Sequence, residues 1–198
     1  MEFTHLLKSI FDYDPDGPNI HHLMAVHGYS RLIAQMENVD AHTLFITESA
    51  AYLHDIGVKA SKEKYGNSQP KHQEDEGPAI ALRLLEPFSL PPQDVERICY
   101  IIGHHHTYTA IDGIDFQILV EADYIVNLME GYCQRASLPA MKQNVFKTAA
   151  GKYLLEQMFE KSARLKGFLQ KSRRRLCRTG VKVLWRKKTG RAMRKSES

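Results

Sequence analysis

The run Ala50-Ala51-Tyr52-Leu53-His54-Asp55-Ile56-Gly57 carries apolar and small residues into a histidine and an aspartate side by side. An imidazole and a carboxylate at the last turn of an apolar helix are strong metal ligands placed where solvent does not claim them. Two more candidates lie among apolar or small residues: His22 upstream and Asp123 in Val120-Glu121-Ala122-Asp123-Tyr124-Ile125. A carboxylate in such a stripe is costly unless a metal or a basic partner answers it, and no basic residue follows Asp123 until Arg135. Two imidazoles and two carboxylates suit a divalent first-row ion, and hydrolytic chemistry needs one coordination position left open for water. Singly, each residue has a plain structural reading, such as a hydrogen-bonded core histidine or a helix-end turn. Taken together with the triplet His104-His105-His106, they favour a site.

These ligands need rigid elements, and the hydrophobic spacing supplies helices. Phe3–Phe11 reads as an opening helix that ends at Asp14-Pro15-Asp16-Gly17-Pro18. Residues 19–37 form the helix that carries His22, and residues 41–54 the one that ends in His54, with Gly57 as its stop signal. Val58–Lys71 is polar and reads as a loop bordering the site. Helices are then expected over residues 74–85, from Pro92 toward the histidine triplet, over residues 116–129 around Asp123, and over residues 140–159. The expected architecture is all-α, a bundle of six or seven helices, and facing helices of a bundle can hold inward-pointing ligands.

The 198 residues allow one domain with a sizeable core. No apolar run of membrane-spanning length is present, Met1-Glu2-Phe3-Thr4-His5 does not open like a secretory signal, and a cytoplasmic setting is expected. Cys99, Cys133 and Cys177 lie far apart without a CxxC pair, which points to reduced thiols. The net charge of +4 hides an asymmetry, because residues 161–198 hold 15 Lys and Arg against one acidic residue, Glu197. The expected organisation is an acidic domain over residues 1–160 and a basic, partly helical or disordered tail over residues 161–198. That tail could make non-specific, salt-sensitive contact with nucleic acid. No oligomeric state is specified.

The order His22, His54-Asp55, Asp123, with its surrounding segments His22-Leu23-Met24-Ala25-Val26 and Glu121-Ala122-Asp123-Tyr124-Ile125, resembles the HD-domain superfamily of metal-dependent phosphohydrolases. The resemblance covers about residues 18–130. It implies a helical fold in which His22, His54, Asp55 and Asp123 bind a divalent ion, with Asp55 and His54 as the catalytic candidates. It also implies that His105 and His106 could hold a second ion or neutralise a phosphoryl group. Two departures stand out: Gln73, flanked by His72 and Glu74, occupies a position where second-metal members often have histidine, and Val58 replaces a frequent lysine, leaving Lys59 as the candidate substrate contact.

The chemistry implied is hydrolysis of a phosphomonoester or phosphodiester, a nucleotide or related small molecule. Mn, Co, Ni, Fe, Mg and Zn are equally compatible with the donor set. Tyr52, Tyr108 and Tyr124 are candidates to stack on a base. Glu74 and Glu76 are candidate general acids, although Glu74-Asp75-Glu76 reads as a solvated acidic surface. Two rival readings are a di-iron oxygenase of the same superfamily and a non-enzymatic regulatory or nucleic-acid-associated module with a structural metal.

Overall fold

The computed structural model describes residues 1–161; the basic-tail expectation falls almost wholly on residues 162–198, outside the described part. The described residues are all-α, without strands: α1 Phe3–Tyr13, α2 Gly17–Met36, α3 Ala41–Leu53, α4 Gly57–Tyr65, α5 Pro70–Leu85, α6 Pro92–Ile102, α7 Ile114–Glu130, α8 Leu138–Asn144 and α9 Ala149–Leu155. Local chemistry sets many of these limits. Asp40 caps α3 by accepting from the backbone N–H groups of His42 and Thr43. Pro18, Pro70 and Pro92 occupy first-turn positions where the missing N–H costs nothing. Gly66 and Gly131, with φ of 72° and 86°, close α4 and α7 in the left-handed region.

The core forms where α2, α3 and α7 pack against one another, with α6 on α3. Every residue of α3 from Ile46 to Leu53 is buried, as is nearly all of α7 from Phe116 to Leu128. Helices enclosed on all sides are apolar or small all round rather than striped. Two of their buried carboxylates, Glu48 and Glu121, are answered by the protein's own donors. Glu48 accepts from Arg31 and pairs with His27. Glu121 accepts from Gln117 Nε2, the backbone N–H groups of Lys147 and Thr148, and the Thr148 hydroxyl.

Two sequence expectations require correction here. The single helix expected over residues 140–159 is α8 and α9, separated by Val145–Thr148, because Glu121 captures the Lys147 and Thr148 amides that a continuous helix would direct to its own carbonyls. The loop expected over Val58–Lys71 holds α4, and Gly57 begins that helix rather than stopping α3. A Cβ at Gly57 would stand 2.5 Å from the Gln73 carbonyl oxygen and 2.9 Å from the Gly77 nitrogen. The glycine is therefore required by the close crossing of α4 and α5, which brings Gln73 beside the segment bearing Asp55.

No described helix is long and apolar enough to cross a membrane. Gly57→Ala should destabilise the fold by ~1–3 kcal/mol, since backbone rather than a movable side chain obstructs the new methyl. Glu121→Ala should cost at least ~3 kcal/mol by orphaning the buried Thr148 amide and hydroxyl together with the part-buried Lys147 amide. Denaturant titration of each variant checks both values.

Candidate metal centre

Four side chains from three helices meet in the core. His22 comes from α2, His54 from the C-cap of α3, Asp55 from the next residue and Asp123 from the middle of α7. His22 Nε2 lies 3.2 Å from Asp123 Oδ1, 3.3 Å from His54 Nε2 and 3.5 Å from Asp55 Oδ2. His54 Nε2 lies 3.7 Å from both Asp55 Oδ2 and Asp123 Oδ1. His54 is fully buried.

Hydrogen bonds at the outer nitrogens fix what the inner ones present. His54 Nδ1 faces the Ala51 carbonyl at 2.9 Å, and His22 Nδ1 faces Glu130 Oε2 at 2.8 Å. A ring nitrogen facing an acceptor carries a proton, so Nδ1 is held as an N–H in both rings and Nε2 is the atom turned inward, able to offer a lone pair once it gives up any proton of its own. Imidazole Nε2 atoms and carboxylate oxygens thus crowd together, an arrangement balanced by a positive charge: a proton on His22, or a bound cation that displaces that proton. Burial would push His22 down, but its bond to Asp123, the charges of Asp55 and Asp123, and Glu130 raise its pKa to about 9. Asp55 and Asp123 are held far below the usual carboxylate range despite burial, Asp55 by His54 and His105, Asp123 by His22 and His54.

A second group adjoins the first. Asp55 Oδ1 lies 3.4 Å from His105 Nε2, so Asp55 turns one oxygen to each group. His105 Nδ1 donates to the Ile102 carbonyl at 2.7 Å, which leaves Nε2 buried with no hydrogen-bond partner. His106 completes a set with Asp55 and His105 whose candidate ligand atoms all lie within 4.8 Å of one another. Burial, then the neighbouring His105, lowers the His106 pKa to about 4, which keeps its ring neutral. The triplet can diverge because α6 stops at Ile102, and His104 turns away to bond the Tyr100 carbonyl.

The supports of this second group come from α5. Gln73 is buried, donates to the Ser68 carbonyl and presents Oε1 to His106 Nε2 at 3.4 Å. Glu74 is no surface charge: it is buried, accepts from the His106 backbone N–H and the Thr107 hydroxyl, and fixes the turn that aims His106. Glu76 instead accepts from Lys64 and Tyr65.

His22, Asp55, Asp123 and His106 open onto a cavity of about 410 Å³. Among the Lys and Arg of the described residues, Lys62 alone lines it, one helical turn after Val58 on the same face of α4. Lys59, the candidate from sequence, is engaged elsewhere: its ammonium donates to the Tyr13 carbonyl at 2.7 Å and sits over the Tyr13 ring. The three tyrosines proposed to stack on a base are absent from the lining. Tyr52 stacks on His27 and Tyr124 bonds Ser137 in the core, whereas the exposed Tyr132 lines the cavity.

Sequence reasoning missed Glu130 and Asn127, yet their spacing was a usable signal. Asp123, Asn127 and Glu130 stand at i, i+4 and i+7, one face of a helix. Asn127 Nδ2 donates to Asp123 Oδ1 at 2.7 Å, so both residues orient members of the cluster.

A search of solved structures finds similarity to the crystal structure of a predicted HD superfamily hydrolase from an uncultured Thermotogales bacterium. The two are 21% identical with a TM-score of 0.60, over 84% of this chain and 90% of that chain. No protein-family model and no curated protein matches the sequence. The likeness is one of fold, and this chain has the all-α architecture of that HD-superfamily protein.

If the cluster binds a divalent ion, Glu130→Ala should weaken that binding ~10- to 100-fold by freeing the His22 ring. Competition titration against a chromogenic chelator measures the change.

Proposed function

We propose that this chain is a metal-dependent phosphohydrolase that cleaves a phosphomonoester or phosphodiester, a nucleotide or related small molecule. The observation that carries the proposal is the cluster of inward-turned imidazole Nε2 atoms and carboxylate oxygens opening onto a cavity of small-molecule size. His22, His54, Asp55 and Asp123 would hold one divalent ion, and Asp55 with His105 and His106 a second. Such an ion, when bound, lowers the pKa of a water toward neutrality and polarises a phosphoryl oxygen.

The remaining tasks belong to side chains. Asp55 ties the two groups together through its separate oxygens, which fits a role central to reaction as well as to binding. Lys62 has no acidic partner among the described residues, unlike Lys64 and Lys71 with Glu76 and Asp75. Lys62 lines the cavity together with Val58, one turn before it on α4, and with Asp55. There its ammonium would offset phosphoryl charge in a lining that also carries Asp16, Asp55 and Asp123.

Metal-stripped protein supplied in turn with Mn, Co, Ni, Fe, Mg or Zn should hydrolyse a generic phosphate ester or a member of a nucleotide panel. Asp55→Ala should lower that turnover by at least ~100-fold. Stoichiometric metal binding that Asp55→Ala removes, without turnover under any metal, would overturn the proposal in favour of a structural metal. Lys62→Gln should raise KM about 10-fold, the value of one charge-assisted contact, while bound metal stays the same.

A further inference from the structure

Part of the cavity wall comes from the start of α2 and the end of α7, where Asp16, Asn19 and Asn127 stand beside His22 and Asp123. Both asparagines are oriented by carboxylates. Asn19 Nδ2 donates to Asp14 Oδ2 at 3.0 Å, and Asn127 Nδ2 donates to Asp123 Oδ1 at 2.7 Å. Asp14 is itself buried, and its other oxygen accepts from the Asp16 backbone N–H at 3.2 Å.

A carboxylate only accepts, so each amide must turn its NH₂ group toward it. The carbonyl oxygen and one N–H of each amide are then left for another partner. The Asp16 carboxylate has no donor from the described residues. This wall therefore offers one carboxylate, two amide oxygens and two N–H donors.

That mixture selects a ligand chemistry. A hydroxyl both donates and accepts and can answer every group on the wall. An ammonium only donates and would face the amide N–H groups unmatched, while an alkyl chain would leave the whole set without partners. We propose that the leaving group of the substrate is a polyol, a sugar or sugar-like alcohol, whose hydroxyls are read by Asp16 and Asn19 with Asn127 beside them. The inference rests on the phosphohydrolase reading and specifies which part of the substrate this wall recognises.

The test compares ribose 5-phosphate with n-pentyl phosphate, two primary alkyl esters that differ in the hydroxyls under test. Metal-loaded wild-type protein should favour ribose 5-phosphate in kcat/KM by about 10- to 100-fold, the range expected when partly exposed polar groups lose their partners. The Asp16→Ala/Asn19→Leu double variant should bring that ratio to within about threefold of unity. Asp16→Asn, which preserves shape and the bond from its backbone N–H to Asp14, should fall between and guards against a folding defect in the double variant. Equal use of both esters by wild-type protein, or a ratio unchanged in both variants, overturns this inference and leaves the phosphohydrolase reading standing. Hydrolysis of no phosphate ester under any metal overturns both.

Discussion

The structure depends on a cluster of inward-turned imidazole nitrogens and carboxylate oxygens that holds together only with a positive charge among them, a proton on His22 or a bound cation. His22 and His54 have their outer nitrogens tied to Glu130 and to the Ala51 carbonyl, so neither ring can turn its Nε2 away without breaking a hydrogen bond. Asp55 and Asp123 close the set with oxygens 3.2 to 3.7 Å from those nitrogens. Close packing of α2, α3 and α7 holds the arrangement together. These helices carry small residues that are fully buried, Ser30, Ala34, Ala50, Ala51 and Ala122.

Buried carboxylates elsewhere in the same core show how this fold treats a charge it does not use. Glu48 meets Arg31 and His27, and Glu121 gathers two backbone amides, a hydroxyl and a side-chain amide. Each is satisfied by donors, as burial demands. Asp55 mainly faces imidazole nitrogens, and His105 Nε2 is buried with no hydrogen-bond partner. That contrast within one molecule is the physical reason to read the cluster as a place for a cation rather than as another structural network.

Around the cluster, chemistry is divided by element. The segment from α4 to α5 brings Lys62, Ser68 and Gln73 to the cavity, and the start of α2 with the end of α7 brings carboxylate and amide groups. The α4–α5 crossing at Gly57 and Gly77 brings the Gln73 carbonyl against Gly57, two residues after Asp55. Glu74 then holds the turn of His106 and Thr107, so packing of two helices at one glycine pair is coupled to the aim of a histidine 32 residues beyond Glu74.

The convergence of His22, His54-Asp55 and Asp123 was legible in the sequence because histidine and carboxylate residues at helix ends or within apolar stripes conflict with solvation, and that conflict is visible in residue types alone. The all-α class was legible for a similar reason, since burial writes its period into the chain. Tertiary structure decided which neighbours complete the arrangement. Lys59 and Lys62 look equivalent in sequence, and only the path of α1 past α4 gives Lys59 the Tyr13 carbonyl and leaves Lys62 to the cavity. Gly57 reads as a stop signal until a second backbone is seen 2.5 Å from its absent Cβ. Glu74 reads as a surface charge until the turn after α6 brings the His106 amide to it. Local sequence carries solvation preference and period, whereas the partner of a polar group is set by contacts between residues distant in the chain, which exist only once the helices have packed.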